Sequence, residues 1–163
     1  MNALLVVASR HGSTTEIGDI VERELAKNGV EVERYTPDSV ASVSGYDAVI
    51  IGSGVYASRW LKSARSFIDK YHEQLVDMTV WLFSSGPTQD EPIEDTSKFA
   101  AIDDIIQKVQ PSEHRVFAGN IDKSKLNLGE KAIIKMVKAP YGDFRDETAI
   151  KEWTADISKQ ISK

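Results

Sequence analysis

Three runs, ALLVVAS (Ala3–Ser9), AVIIGS (Ala48–Ser53) and TVWLFS (Thr79–Ser84), are apolar on consecutive residues rather than on alternate ones. A strand with one wet face alternates. A strand that buries both faces does not, and such strands belong to parallel sheets covered on each side by helices. Two further strands are expected at Val30–Tyr35 and Arg115–Ile121. Between them lie helical stripes. Ile17, Ile20, Val21 and Leu25 make the first, and Trp60, Leu61, Ala64, Phe67, Ile68 and Tyr71 the second. Phe99, Ile102, Ile105, Ile106 and Val109 make the third, and Ile150, Trp153, Ile157 and Ile161 the last. Gly29, Pro37 and Pro111 punctuate the joins. This β-α-β order predicts an α/β fold with right-handed crossovers and helices on both faces.

A length of 163 residues suits one domain over 1–163. The stretch from Asp122 to Asp143 is too long for a simple connection and reads as an insert. A net charge of −5 argues against a nucleic-acid partner, which would need a basic face. Without cysteine, thiol chemistry, disulfides and iron–sulfur ligation are excluded. No cluster of His, Asp or Glu has metal-ligand spacing, and no nucleophile triad is present. The apolar run Ala3–Ala8 is too short to span a bilayer and lacks a charged leader, so a cytoplasmic protein is expected.

In such sheets ligands bind at the carboxyl ends of the strands, beside the switch in strand order. The turn after the first strand, ASRHGSTTE, is dense in hydroxyls and precedes a helix. A helix N-terminus offers unpaired N–H groups and the positive end of a dipole, which suits a phosphate. Ser9, Ser13 and Thr14 add donors, and Gly12 lets the backbone approach the anion. The simpler alternative is a helix cap by Ser13 or Thr14 with Glu16 completing a capping box. The pattern is neither GxxxxGK[ST] nor GxGxxG, so a monophosphate fits better than a triphosphate or dinucleotide. After the third and fourth strands come SGVYASRW (Ser53–Trp60) and SSGPTQDEP (Ser84–Pro92), turns of small residues with two aromatics. Together the three turns suit a planar heterocycle bearing one phosphate, a description that fits flavin mononucleotide (FMN).

With these turns the chain resembles the flavodoxin-like family over essentially all of its length. The resemblance implies a three-layer sandwich with a five-stranded parallel sheet in the order 2-1-3-4-5. It also implies that Ser9, Arg10, His11, Gly12, Ser13 and Thr14 hold the FMN phosphate. Ser53, Gly54, Val55, Tyr56 and Ala57, with Ser84, Ser85, Gly86 and Pro87, would border the isoalloxazine. The segment FAGNIDKSKLNLGEKAIIKMVKAPYGDFRD, with the first turn SRHGST, is similar to the branch that includes menaquinone-dependent protoporphyrinogen oxidase. That branch carries a partly helical insert, here 122–143. It implies an FMN-dependent oxidoreductase with a quinone acceptor, the flavin carrying the chemistry and no side chain serving as catalyst. The alternatives are an electron carrier working with an electron-transfer protein, and a member that has lost its flavin.

Tyr56 is the aromatic best placed to stack on the ring, while Trp60 is expected in the core. The turn after strand four has no aromatic, which leaves the outer flavin face open unless Tyr141 or Phe144 covers it. Asp90, Glu91, Glu94 and Asp95 in that turn would lower the flavin potential if they lie near the ring. His72 and His114 read as structural or exposed. On the expected 129–139 helix, Lys131, Lys135 and Lys138 run beside Ile133, Ile134, Met136 and Val137. A basic stripe next to an apolar one suits peripheral contact with the inner face of an anionic membrane, and also suits lysines over a packed helix.

Overall fold

A computed structural model describes residues 1–86, 102–136 and 138–162. Phe99 and Val137, the acidic residues Asp90, Glu91, Glu94 and Asp95, and Pro87 lie outside these. The main sheet holds β1 (Asn2–Ala8), β2 (Glu31–Tyr35), β3 (Ala48–Tyr56), β4 (Arg59–Trp60), β5 (Val80–Ser85) and β6 (Glu113–Phe117). Its order is β2-β1-β3-β5-β6, parallel throughout, with β4 folded back antiparallel on β3. With β4 set aside, this is the expected 2-1-3-4-5 arrangement.

The consecutive apolar runs are explained by two cores. Leu4, Val6, Val49, Ile51, Val80 and Leu82 face one side, against α2 (Lys62–Leu75) and α3 (Asp103–Val109). Their sequence neighbours Ala3, Leu5, Ala48, Ile50, Trp81 and Phe83 face the other, against α1 (Ser13–Lys27) and α5 (Glu147–Ile161). Successive residues of a strand point to opposite faces, so a sheet dry on both sides needs both sets apolar. The edge strand β2, sequence EVERY, is exposed on alternate residues.

Three expected boundaries move. The third strand runs past Ser53 to Tyr56 and turns at Ala57 and Ser58, with φ of 49° and 58°, into β4. Positive φ at both central residues of a two-residue turn matches the twist of a hairpin. Trp60 and Leu61 therefore precede α2 rather than open it. The fifth strand stops at Phe117, because the chain turns inward there: a Cβ on Gly119 would lie 3.2 Å from Gly86 Cα. Residues Asn120–Ile121 form a separate strand, β7, paired antiparallel with β8 (Gly142–Asp143). Between these strands the chain forms a short 3-10 turn at Lys123–Lys125 and then α4 (Leu128–Met136).

Gly52 is opposite Phe83 in the β3–β5 register. A Cβ there would sit 1.9 Å from Phe83 Cζ, so the ring lies flat on bare backbone. Phe83 in turn packs edge-on against Trp153, with centroids 5.9 Å apart. Gly52→Ala is expected to cost about 1–3 kcal/mol by overpacking. In chemical denaturation, adding Phe83→Leu to that variant should cost less than it does in the wild type, because the shared clash is relieved.

Candidate functional site

The turn from Ala8 to Ser13 delivers an open helix end. Gly12 is the N-cap of α1, with φ 93° and ψ −19° and no side-chain cap. The capping alternative does not hold: Ser13 Oγ accepts from the Asn120 amide at 2.9 Å, and Glu16 pairs with Arg145. Ser9 Oγ accepts from the Gly12 amide at 3.1 Å and so closes the turn from within. Thr14 is buried, and a Cβ on Gly54 would press its Oγ1 at 3.0 Å. The first-turn amides of Ser13, Thr14 and Thr15 have no intrahelical acceptor, and among the described residues no side chain replaces one. The hydroxyls thus build the turn, while the amides stay available for an anion.

A cavity of about 580 Å³ opens at this helix end, over the carboxyl ends of β1, β3 and β5. Of the residues expected at a site, Ser9, Arg10, His11, Ser13, Thr14, Gly54, Val55, Tyr56, Ser85 and Gly86 line it. Gly12, Ser53, Ala57 and Ser84 do not. Ser53 is fully buried, its Oγ donating to Gly54 O and accepting from the Leu61 amide at 3.1 Å. Ser84 is also fully buried, accepting from Trp60 Nε1 at 2.8 Å. Both serines hold the floor of the site rather than its surface. Pro87 lies outside the described residues.

Much of the remaining lining comes from the chain after β6, which no local motif marks: Asn120, Ile121 and Asp122, then Leu126, Ile134, Lys138, Ala139 and Pro140. Tyr141 and Phe144 are not part of it. The insert is fastened by Glu130, 5 % exposed, whose Oε1 lies 3.0 Å from both Arg10 Nη2 and His11 Nε2. Its Oε2 accepts from the Asn127 amide at 2.9 Å, and Asn127 Oδ1 accepts from the Glu130 amide at 2.9 Å. This is a reciprocal cap. The Asn127 amide, then His11 and the Arg10 charge, hold the Glu130 carboxyl below its ordinary pKa. The signal in the sequence was Asn-Leu-Gly-Glu ahead of an apolar run. Both cations expected on a phosphate therefore point to a carboxylate, and Lys125 Nζ lies 3.8 Å from the position a Gly12 Cβ would take.

On the near wall, Tyr56 ends β3 with the Arg10 guanidinium 4.4 Å from its ring centroid. A cation over the ring face fixes its orientation. Trp60 is buried in the core as expected. Among the described residues no group of three metal-ligating side chains occurs, and no helix is long and apolar enough to cross a membrane.

A family model for the flavodoxin domain matches residues 4–148. The chain belongs to the flavodoxin domain family. It is 21 % identical to protoporphyrinogen IX dehydrogenase [quinone] of Escherichia coli K12, over 99 % of this chain and 95 % of that protein. A flavodoxin from the domain Archaea superposes with a TM-score of 0.65 at 16 % identity, each chain covered completely. Two-electron reduced flavodoxin of Megasphaera elsdenii gives a TM-score of 0.64 at 16 % identity, covering 96 % of this chain and 98 % of that one. Membership in a flavodoxin family implies a flavin cofactor.

Beneath the cavity, a polar chain runs along the face of the sheet that α2 and α3 cover. Ser84 Oγ accepts from Trp60 Nε1 and pairs with His114 Nε2 at 2.9 Å, while His114 Nδ1 is buried without a partner among the described residues. Burial pushes the His114 pKa from 6.5 down to about 4, so the ring is neutral at pH 7. The unfolded chain takes this proton near 6.5 and the folded chain only near 4. Stability is therefore full above pH 6.5 and falls as pH drops toward 4. After discounting for partial exposure the loss is of the order of 2 kcal/mol. Denaturation curves of His114→Gln should lack this slope between the two pH values.

Proposed function

We propose that the cavity binds FMN and that the chain is an FMN-dependent oxidoreductase passing hydrogen from a reduced substrate to a quinone. The observation that carries the reading is the uncapped α1 N-terminus opening into a cavity walled by all three turns. A volume of about 580 Å³ is within the range of small-molecule sites, roughly 300–1,000 Å³. The fit is set by backbone: left-handed Gly12 exposes the first-turn amides, and Gly54 leaves room that a Cβ would take from Thr14. The Ser13, Thr14 and Thr15 amides would hold the phosphate, helped by the Lys125 charge. Val55, Tyr56, Ser85 and Gly86 would border the ring.

When bound, the flavin supplies two-electron hydrogen transfer. The chain's own part is to orient the ring and keep one face approachable. Leu126, Ile134, Ala139 and Pro140 add apolar surface to the cavity beside Asp122 and Lys138, which suits a flat, poorly hydrated substrate with a polar edge. This surface favours an enzyme over the second reading, an electron carrier with no substrate of its own. The Escherichia coli relative, named for protoporphyrinogen IX and quinone, makes those two compounds the first to try.

The purified protein should be yellow and release FMN, identified by mass. Riboflavin, which lacks the phosphate, should bind at least about a hundredfold more weakly in calorimetry, since two or more charge-assisted hydrogen bonds are lost. Equal affinity for the two would remove the phosphate from the helix end. Protoporphyrinogen oxidation coupled to menaquinone reduction favours the enzyme. Exchange of electrons with a ferredoxin reductase, without quinone turnover, favours the carrier.

A further inference from the structure

Helix α4 turns most of its apolar residues outward. Toward the protein it presents Glu130 and Ile134, with Lys131 half-covered. At about 100° per residue, the opposite face carries Leu128, Gly129, Ala132, Ile133 and Met136, and all are exposed. Leu128 is 85 % exposed, Met136 75 % and Ile133 45 %. Lys131 and Lys135 border this strip, and Lys138 follows it. Residues 122–141 hold five lysines against Asp122 and Glu130, in a chain whose net charge is −5. The basic charge is thus gathered where the apolar strip is.

We propose that this face of α4 docks on an anionic lipid bilayer. Leu128, Ile133 and Met136 enter the boundary of the acyl region, while Lys131 and Lys135 meet the headgroup phosphates. Charge decides the orientation, because the remainder of the chain is acidic and is repelled by the same surface. Area decides against a protein occupant: a helix of nine residues is about 14 Å long, too small for the roughly 800 Å² per partner of a stable pair. A second copy would also set lysine against lysine. A bilayer needs neither a matched pocket nor a large footprint. The surface stands without the flavin reading. If that reading holds, docking brings the cavity to the membrane, since Ile134 on the same helix lines it.

The test is flotation of the full chain with vesicles of phosphatidylglycerol or of phosphatidylcholine. Binding is expected to the anionic vesicles alone and to weaken as salt shortens the Debye length from about 10 Å at 0.1 M to about 3 Å at 1 M. Leu128→Ser/Met136→Ser and Lys131→Gln/Lys135→Gln should each reduce it by roughly tenfold or more. All four side chains are at least partly exposed, and circular dichroism checks that the variants fold. Absence of anionic-vesicle binding overturns the proposal, as does unchanged binding by the serine pair. A concentration-dependent dimer abolished by the serine pair would also overturn it, giving the face to a second copy. None of these readouts depends on bound flavin.

Discussion

Everything at the binding end of the molecule depends on one local constraint: among the described residues, no side chain caps the start of α1. A helix start leaves several N–H groups unpaired, and most sequences satisfy one with a serine, threonine or aspartate just before the first turn. Here that position is Gly12, in the left-handed region, and it has no side chain to give. The neighbouring hydroxyls are spent elsewhere, Ser9 on the turn itself and Ser13 on the backbone of Asn120. The positive end of the helix is left facing a cavity. Such an arrangement is destabilising for the bare protein and favourable for an anion that arrives with its own acceptors.

The sheet explains why that end is where it is. Chain connections leave β1 toward β2 on one side and reach β3 on the other, so the loops diverge at the carboxyl ends and leave a crevice. Depth comes from the buried serines. Ser53 ties β3 to the Leu61 amide, and Ser84 joins Trp60 to His114, which anchors the hairpin carrying Tyr56. The strained residues Ala57 and Ser58 lie at the tip of that hairpin, where the surrounding ladder fixes them. The far wall is independent of the sheet. It is carried by the β7–β8 ribbon and held down by Glu130 on Arg10 and His11.

The strand order and layers were legible because parallel strands must be apolar on both faces, and Ala3–Ala8 or Val80–Phe83 read that way without any long-range information. The three turns were legible for the same reason: their positions follow from the strand ends. What the sequence hid was contact across the chain. Nothing local says that Ser84 faces Trp60 and His114 instead of the cavity, since a serine after a buried strand has the same sequence context in either case. Nothing local says that Glu130 reaches back 120 residues to Arg10. Val116–Phe117 and Ile121 look continuous in the sequence, whereas the break at Gly119 is forced by the nearby Gly86 backbone. The insert helix has apolar and basic residues side by side. Only its burial pattern tells which of them face outward.

If the free amides of the first α1 turn receive a phosphate, their proton shifts will report it in isotopically labelled protein titrated with FMN and separately with riboflavin. The Ser13, Thr14 and Thr15 amides are expected to move strongly downfield with FMN and to remain nearly still with riboflavin. Equal responses to the two ligands, or saturation by FMN with these three amides unmoved, would contradict it.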